Sequence, residues 1–277
     1  MRAAFVLTPA ESKRLIAKAV VQHGDIKMAM EKAYVILCEG STDVMIAQEL
    51  FDLKLASENF TCGMSSKGIL CPSDLESRST FPIVAYKGKI VDIPYEKAIE
   101  DFHLETVIIK SGNAIDKEGS VGVVVSGYDG GIIANLLGHS VSQGVKILCP
   151  IGLEKNIFSV REAVRHTGGK RFDYSMGADY GLFMVPNAEI LTEIEAIKIL
   201  SGADAFHVAS GGINGSEGAV MLSCEGSNDN VNKIIKIIEG IKGEPSQKGI
   251  RQKCKTCKYV NCIFNGKEEN ALPEWMR

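Results

Sequence analysis

The amino-acid sequence predicts an α/β protein with a parallel-rich sheet, helices on both faces and a cysteine-containing C-terminal tail. Short apolar runs of strand length alternate with runs of helical spacing along residues 1–243, an order that is typical of βαβ units. Glycine is plentiful, with 28 residues, whereas aromatic residues make up only 6% of the chain. This combination favours a glycine-looped α/β architecture over an aromatic-rich β-sandwich.

The predicted domain organisation follows from a change in composition after Gly243. Residues 1–243 carry the alternating pattern, and we expect one α/β domain there, with two subdomains parted near residues 170–190 as an alternative. Residues 244–253 are rich in Gly, Pro, Ser, Gln and Lys, and three cysteines follow them closely. We therefore expect residues 244–277 to form an appended tail that the cysteines tie down through a bound metal.

Composition and charge narrow the range of functions. The chain has 277 residues, of which 45% are hydrophobic and 23% charged, as in an ordinary globular protein. A net charge of −3 gives no general attraction to nucleic acid, so binding through the basic residues 248–255 is a less favoured alternative. No apolar run approaches the roughly 18 residues of a membrane span, and the N-terminal run is too short for a signal peptide. We therefore expect a cytoplasmic protein without a membrane partner, and a homo-oligomer is left open.

Helical spacing of apolar residues predicts eight helices. The first has the strongest start signal, because Thr8 and Glu11 form a capping box and Pro9 lies in the first turn. The predicted helices cover residues 8–24, 26–32, 44–51, 94–102, 132–137, 160–165, 192–200 and 231–241.

Short apolar runs predict strands, many of them buried on both faces. The predicted strands cover residues 33–38, 106–110, 121–125, 145–149, 182–185, 205–209 and 220–224. A hairpin around Lys87 and Gly88 is predicted for residues 81–93. Residues 56–80 lack a clear period, and such long loops often serve as lids over a site.

The stretch over residues 33–51 leads from a buried strand directly into a helix through Glu39, Gly40, Ser41 and Thr42. Glycine allows a sharp turn, and Ser, Thr and Asp are favoured helix N-caps. The free N–H groups and positive dipole end of such a helix attract anions. We therefore expect these residues to bind an anion, with an ordinary capped turn as the alternative.

Glycine-rich loops follow four predicted strands, at residues 39–43, 111–116, 126–131 and 210–218. In a parallel sheet such loops lie at one edge, where open α/β sheets bind ligands. We therefore expect one glycine-lined cleft for a small phosphate, CoA or carboxylate ligand. Further ligand contacts are expected from Lys110, Asn113, Gly130, Gly131, Gly211 and Gly212.

The loop at residues 39–43 resembles the phosphate loop of the ribose-5-phosphate isomerase, glucosamine-6-phosphate deaminase and CoA-transferase superfamily. Residues 177–179 and 211–212 are similar to its acidic and glycine-rich motifs. Tyr180 stands where the isomerases have a second acid, and Ser210 stands where they have a lysine. The glutamate motif that carries the CoA-transferase nucleophile is missing. The resemblance implies the fold and an anion cleft, and an isomerase- or transferase-like reaction if the protein is an enzyme.

Two acids at predicted strand ends are candidate catalytic residues, Asp179 and Glu217. Glu217 lies between two glycines, where a side chain has little packing role, so proton transfer or ligand binding is a plausible task. The alternative is a solvated loop acid, since acids are usually exposed.

The cysteines Cys254, Cys257 and Cys262 are spaced so that three thiolates can converge on one metal centre. A cytoplasmic chain with eight cysteines is expected to use them as thiols or metal ligands. A [4Fe–4S] cluster is favoured, with zinc as the alternative and three free thiols as the simplest one. Zinc would need a fourth ligand from the body of the protein, with four candidates: Cys62, Cys71, Cys149 and Cys224. A cluster would be held by the three tail cysteines, with its fourth iron open or ligated elsewhere.

Two functions follow from the sequence. The favoured one is an enzyme or ligand-binding protein for a small anion that also carries the C-terminal metal centre. The alternative is a non-catalytic metal-cluster protein for sensing, sulfur handling or electron transfer.

Overall fold

A computed structural model describes residues 1–79, 81–127 and 129–277, and these residues form a mixed α/β fold with eight α-helices and several sheets. The helices are α1 (Pro9–Gln22), α2 (Gly24–Lys32), α3 (Ser41–Phe51), α4 (Tyr95–Glu100), α5 (Gly131–Gln143), α6 (Val160–Arg165), α7 (Glu193–Ser201) and α8 (Asn228–Ile241). The strands are β1 (Arg2–Leu7), β2 (Tyr34–Leu37), β3 (Gly63–Ser66), β4 (Ile69–Pro72), β5 (Ile83–Tyr86), β6 (Lys89–Ile90), β7 (Val107–Ile109), β8 (Ala114–Ile115), β9 (Val121–Val125), β10 (Lys146–Pro150), β11 (Gly181–Val185), β12 (Glu189–Leu191), β13 (Asp204–Ser210) and β14 (Val220–Glu225).

The largest sheet has six strands in the order β12-β10-β7-β2-β5-β6. The first four run parallel, whereas β5 and β6 are antiparallel to their neighbours. The three other sheets within the described residues are antiparallel. A mixed α/β fold is therefore confirmed, but among the strands of the described residues only those of the large sheet pair in parallel.

Both faces of the large sheet are buried. Successive side chains of a strand point to opposite faces, so one strand contributes to two separate cores. In β2, Val35 and Leu37 belong to one apolar core, whereas Tyr34 and Ile36 belong to a second core. The first core includes buried residues of α1, α2, α3, α7 and α8, and the second includes those of α4 and α5. Helices thus cover both faces, as the sequence predicted.

The antiparallel sheet β1-β14-β13 corrects the prediction that the last strands belong to βαβ units. The loop between β13 and β14 turns the chain straight back, and the amide of Gly211 donates to the carbonyl of Ala219 at 2.9 Å. Strand β1, which the sequence analysis did not predict, pairs with β14 along its whole length. The capping box of α1 is confirmed, since Thr8 and Glu11 exchange side-chain to backbone hydrogen bonds.

Residues 63–72 form the hairpin β3–β4, where the sequence analysis expected an irregular loop. Its turn is at Lys67 and Gly68, which both have positive φ angles of 49° and 75°. The tail packs on this hairpin through a small third core. That core consists of Ile69, Cys71, Cys254, Phe264, Leu272 and Met276.

The first part of the tail is held to the body by hydrogen bonds. The Ser57 hydroxyl donates to the carbonyl of Lys248 at 2.6 Å, and the Asp74 amide donates to the carbonyl of Ile250 at 2.8 Å. Polar pairing therefore orders residues 244–253, which carry few apolar side chains. Across the described residues, no helix combines the length and apolarity needed to cross a bilayer.

Candidate functional site

Two groups of residues stand out, and the first is the edge site, which we define as Glu39, Asp43, Lys110 and Ser111. Strands β2 and β7 are parallel neighbours, so the residues that follow them emerge at the same edge of the sheet. The Lys110 ammonium donates to the carbonyl oxygen of Glu39 at 2.6 Å and lies 3.5 Å from Glu39 Oε1. The Lys110 residue is only 7% exposed. The sequence prediction that this edge gathers polar residues is thus matched by two loops, 39–43 and 111–116.

Asp43 is the most deeply buried acid of the edge site, with no exposed surface. Its Oδ2 accepts a hydrogen bond from the Ser111 hydroxyl at 2.6 Å and another from the Ser111 amide at 3.3 Å. Burial raises the pKa of Asp43 to about 6, although Lys110 and Ser111 act in the opposite direction. A carboxyl group with such a pKa changes its protonation state near neutral pH, which is useful for proton transfer.

The charge of Lys110 is matched inside the protein. Burial alone would lower the pKa of Lys110, but the carboxylates of Glu39 and Asp43 outweigh burial and raise the pKa well above its ordinary value. Lys110 therefore stays protonated between two acids. Because Lys110 is already paired, the positive end that is left at this edge is the N-terminus of α3.

Position 40 must be glycine because a larger side chain would collide with its neighbours, whereas the sequence analysis attributed the glycine to a sharp turn. A Cβ atom at this position would lie 2.3 Å from Asp43 Oδ2 and 2.5 Å from the Ser111 hydroxyl oxygen. Its φ of 160° is extended backbone that other residues can adopt, so a sharp turn is not the reason for glycine. Gly40 itself occupies the N-cap position of α3, where Ser, Thr or Asp was expected to act as the cap.

Two buried oxygen atoms of the edge site, Glu39 Oε2 and Asp43 Oδ1, and one of the adjacent Thr42, its Oγ1, have no hydrogen-bond partner within the described part of the chain. Buried polar groups are nearly always paired, with protein, water or ligand. The three atoms belong to one short stretch, residues 39–43, which lies next to Lys110.

The same edge continues beyond strand β10 with residues that the sequence analysis did not select. The Lys155 ammonium donates to the carbonyl of Gly112 at 2.8 Å, and burial together with Lys13 lowers the pKa of Lys155 to about 8. Glu193 is fully buried, accepts from the Leu153 amide at 2.9 Å, and has its pKa raised by burial. Lys155 lies in the loop after the predicted strand 145–149, which is the signal that could have found it, whereas Glu193 lies in the first turn of α7 after β12, a strand that the sequence analysis did not predict.

The other predicted ligand contacts lie apart from the edge site or make local contacts. Asn113 Oδ1 accepts from the Val124 amide at 2.9 Å. Gly130 and Gly131 follow β9, and Gly211 and Gly212 follow β13; both strands belong to antiparallel sheets. The expectation that all four glycine-rich loops leave one parallel edge is therefore wrong for residues 126–131 and 210–218. In the first of these loops, Tyr128 lies outside the described residues.

The two candidate catalytic acids make structural contacts. Exposed Glu217 accepts a hydrogen bond from the Gly215 amide of its own loop at 2.9 Å. Asp179 accepts from the Asn261 side chain at 3.0 Å and so connects the body to the tail. Their catalytic roles stay predictions.

The second group is the cysteine cavity, which we define as Cys71 on β4 together with Cys254, Cys257 and Cys262 of the tail. All four line the same small cavity, next to apolar residues that include Ile69, Phe264 and Met276. Cys71 and Cys254 are buried, whereas the other two are half-buried. Four thiols from two separate chain segments thus face one space.

Tight turns hold the tail cysteines in place. The Cys257 amide donates to the Cys254 carbonyl at 3.2 Å, and the Asn265 side chain donates to the Cys257 carbonyl at 2.6 Å. Two N–H groups also point at sulfur: the Phe264 amide is 3.4 Å from Cys262 Sγ, and Arg251 Nη1 is 3.6 Å from Cys254 Sγ. Such donors stabilise thiolates and tune metal centres.

The cysteine thiols influence one another. Burial raises the pKa of Cys71 to about 11, and the neighbouring Cys254, Cys262 and Cys257 add to the increase. Burial also raises the pKa of Cys254. In the metal-free chain Cys71 and Cys254 therefore keep their thiol protons at neutral pH, and a metal would have to displace those two protons.

A third cluster, His23, Asp25 and Glu189, brings three potential ligand atoms within 4.8 Å of one another. The Lys146 ammonium already pairs with Asp25 there, so a cation is supplied by the protein itself. Among the described residues, no three of the four sulfurs of the cysteine cavity come within that distance of one another.

No protein-family model matches the sequence, and a search of curated proteins finds no significant match. The three motifs that resemble the isomerase and transferase superfamily lie in three different places. Residues 39–43 connect β2 to α3, Asp179 contacts the tail, and residues 211–212 lie in the β13–β14 loop.

Proposed function

We propose that this chain is an iron–sulfur protein in which the cysteine cavity holds a [4Fe–4S] cluster. The observation that carries the proposal is the convergence of four cysteines on one cavity, three from the tail and Cys71 from β4. Four cysteine thiolates are the usual ligand set of such a cluster.

The fold favours Cys71 over the other candidates for the fourth ligand. Cys149 and Cys224 are each buried in one of the two large apolar cores of the body. Cys62 is exposed and is not among the residues that line the cavity, although Lys258 of the tail is one of the charges that affect the pKa of Cys62. Only Cys71 lines the cavity together with the tail cysteines in the described part of the chain.

A zinc ion would need all four sulfurs about 2.3 Å from one point. Among the described residues, no three of these sulfurs come within 4.8 Å of one another, so the metal-free cavity does not have the geometry of a formed zinc site. Both a zinc ion and a four-iron cluster take four cysteine ligands, and the content of iron, sulfide and zinc decides between them in this cavity. Bound there, the cluster would supply one-electron chemistry, and the N–H donors to Cys254 and Cys262 would tune it.

A second candidate function belongs to the edge site, where a small polar ligand with an anionic group would complete the unpartnered oxygens of Glu39, Thr42 and Asp43. The N-terminus of α3 would attract the anion, Asp43 would exchange a proton, and Lys110 would hold the two carboxylates in place. The protein would then be a cytoplasmic enzyme of isomerase or transferase type with a cluster beside its site. Without ligand turnover, it is a non-catalytic cluster protein.

The experiment for the cluster compares three chains that are purified without oxygen: wild type, Cys71→Ser and Cys224→Ser. Cys224 is the matched control, because it is a buried thiol outside the cavity. We expect visible iron–sulfur absorption and bound iron in the wild type and in the Cys224 variant, and a loss of most of both in the Cys71 variant. Equal iron in all three would contradict the assignment of Cys71.

The experiment for the edge site uses inorganic phosphate, ribose 5-phosphate and acetyl-CoA as probes in calorimetric titrations. We expect at least one of them to bind the wild type and to bind the Thr42→Val variant more weakly. Thr42 is fully buried, so valine keeps the volume and removes the unpartnered hydroxyl. No binding by any probe, or unchanged affinity in the variant, would count against the site.

A further inference from the structure

We propose that a basic groove beside the cysteine cavity docks an acidic electron-carrier protein, which exchanges electrons with the cluster. This inference rests on the proposed function. The groove lies between the β3–β4 turn and the tail, and six of its lining residues are basic: Lys67, Arg251, Lys253, Lys255, Lys267 and Arg277.

The positive charge of the groove is only partly neutralised. Two acids line it, and each is already paired: Glu268 with Lys255, and Glu269 with Arg251. Lys253, Lys267 and Arg277 have no side-chain carboxylate partner in the described part of the chain. The whole chain has a net charge of −3, so these cations are concentrated on one surface of an otherwise acidic protein. Such an asymmetry attracts and orients an acidic partner.

The groove and the cysteine cavity share a wall. Ile69, Cys254 and Met276 line both of them. Arg251, which lines the groove, points Nη1 at Cys254 Sγ from 3.6 Å. An electron carrier seated in the groove would therefore be separated from the cluster by little more than the Cys254 side chain. Short separation of this kind is what electron transfer between two proteins requires.

The lining chemistry favours a protein over a nucleic acid. Proteins that hold single-stranded nucleic acid stack its bases on aromatic rings, and no aromatic residue is among the described residues that line this groove. Its apolar part consists of Ile69, Ile250 and Met276, and Ile250 is 50% exposed. A small apolar centre inside a charged rim is typical of weak, transient redox encounters, whose interfaces are small.

The proposed step transfers one electron and makes or breaks no covalent bond. With a [4Fe–4S] cluster held by the cysteine cavity, a reduced [2Fe–2S] ferredoxin of acidic net charge seated in the groove would give up one electron and the cluster would accept it. The charges of the two proteins would change by equal and opposite amounts.

The test mixes cluster-loaded full-length chain with a reduced, acidic plant-type ferredoxin in an anaerobic stopped-flow instrument. The groove variant carries Lys253→Glu and Lys267→Glu, and the control variant carries Lys233→Glu and Lys236→Glu on the exposed face of α8. Iron content is measured first on all three chains, and dithionite serves as a small reductant that needs no docking.

We expect the groove variant to accept electrons from ferredoxin at least about tenfold more slowly at low salt. The control variant should stay within about twofold of the wild type, and added salt should slow the wild type steeply. Dithionite should reduce all three chains at the same rate.

Equal ferredoxin rates in both variants, with normal iron and normal dithionite reduction, would overturn the docking site and leave the cluster intact. Binding of single-stranded RNA that the groove variant loses, with an unchanged ferredoxin rate, would assign the groove to nucleic acid instead. A wild-type chain without iron would overturn the docking proposal and the proposed function together.

Discussion

Many more buried core residues support the edge site than support the cysteine cavity. The edge site follows two neighbouring strands of the large sheet, and dozens of buried side chains on both faces fix those strands. The cysteine cavity lies between a two-stranded hairpin and a tail without α-helix, above a third core of six buried residues. Two of those six residues are the cysteines Cys71 and Cys254.

The difference indicates which site depends on its ligand. A buried charge cluster on a large core persists without a ligand, because packing and the internal hydrogen bonds fix Asp43 and Lys110. If the cysteine cavity holds a metal centre as proposed, a segment with so small a core would gain much of its order from that metal, since binding energy is then folding energy. Ligand removal should therefore leave the edge site intact and loosen the tail.

The largest effect is expected for Cys257→Ser, which tests whether a bound metal orders the tail. Loss of the metal should make residues after 253 accessible, so we expect trypsin to cut at Lys255 and Lys258 on the order of tenfold faster. Residues 244–252 should stay protected by their hydrogen bonds to the body. Mass spectrometry of timed digests measures this effect. Cys224→Ser is the control, and equal cutting of both variants would show that metal does not order the tail.

The next effect concerns Gly40→Ala at the edge site. The new methyl group would meet Asp43 Oδ2 and Ser111 Oγ, so it overpacks the site and separates a buried carboxylate from its donor. We expect a loss of about 4 kcal/mol in the free energy of unfolding, from overpacking and the broken hydrogen bonds together. Urea denaturation measures the change. At Gly24, no described atom lies within 4 Å of the new methyl group, so Gly24→Ala should be neutral or slightly stabilising. Similar losses in both variants would contradict the steric role of Gly40.

A smaller effect is the pH dependence that Asp43 contributes. Its pKa is about 6 in the folded chain against an ordinary value of 3.8, so the folded state binds more protons between these values. Stability should therefore fall as pH rises from about 4 to about 6, by at most about 3 kcal/mol, and stay lower above that range. Denaturation of the wild type and of Asp43→Asn across this range isolates the contribution, since Glu39 and Lys110 are present in both. A difference between the two chains that does not vary with pH would refute the raised pKa.

The smallest effect is expected for Glu217→Gln. The glutamine oxygen can still accept from the Gly215 amide of its exposed loop. The free energy of unfolding should change by less than about 0.5 kcal/mol. A larger change in thermal denaturation would mean that the carboxylate has contacts beyond its loop.

Local signals in the sequence predicted much of the fold. The capping box of Thr8 and Glu11, the buried strands after residues 33 and 106, and the hairpin around Lys87 depend on neighbours in sequence, and the structure contains them. The hairpin at Lys67 had the same Lys-Gly signal and was missed because its flanking strands are short and half-exposed.

Long-range pairing could not be predicted from one sequence. The pairing of β1 with β14 joins the two ends of the domain, and nothing in either segment specifies the other. The same holds for Lys110, which was expected to face a ligand and is paired with Glu39. The sequence analysis named Cys71 as one of four possible fourth ligands, and only the three-dimensional arrangement separates it from the others.

The most direct test of the cluster is a count of iron, acid-labile sulfide and zinc per chain in wild-type protein prepared without oxygen. A [4Fe–4S] cluster predicts about four irons and about four sulfides per chain, and little zinc. One zinc per chain without sulfide would show that the same cysteines hold a zinc ion and no cluster. Neither iron nor zinc in stoichiometric amount would mean that the four cysteines are free thiols, and the central claim would be wrong.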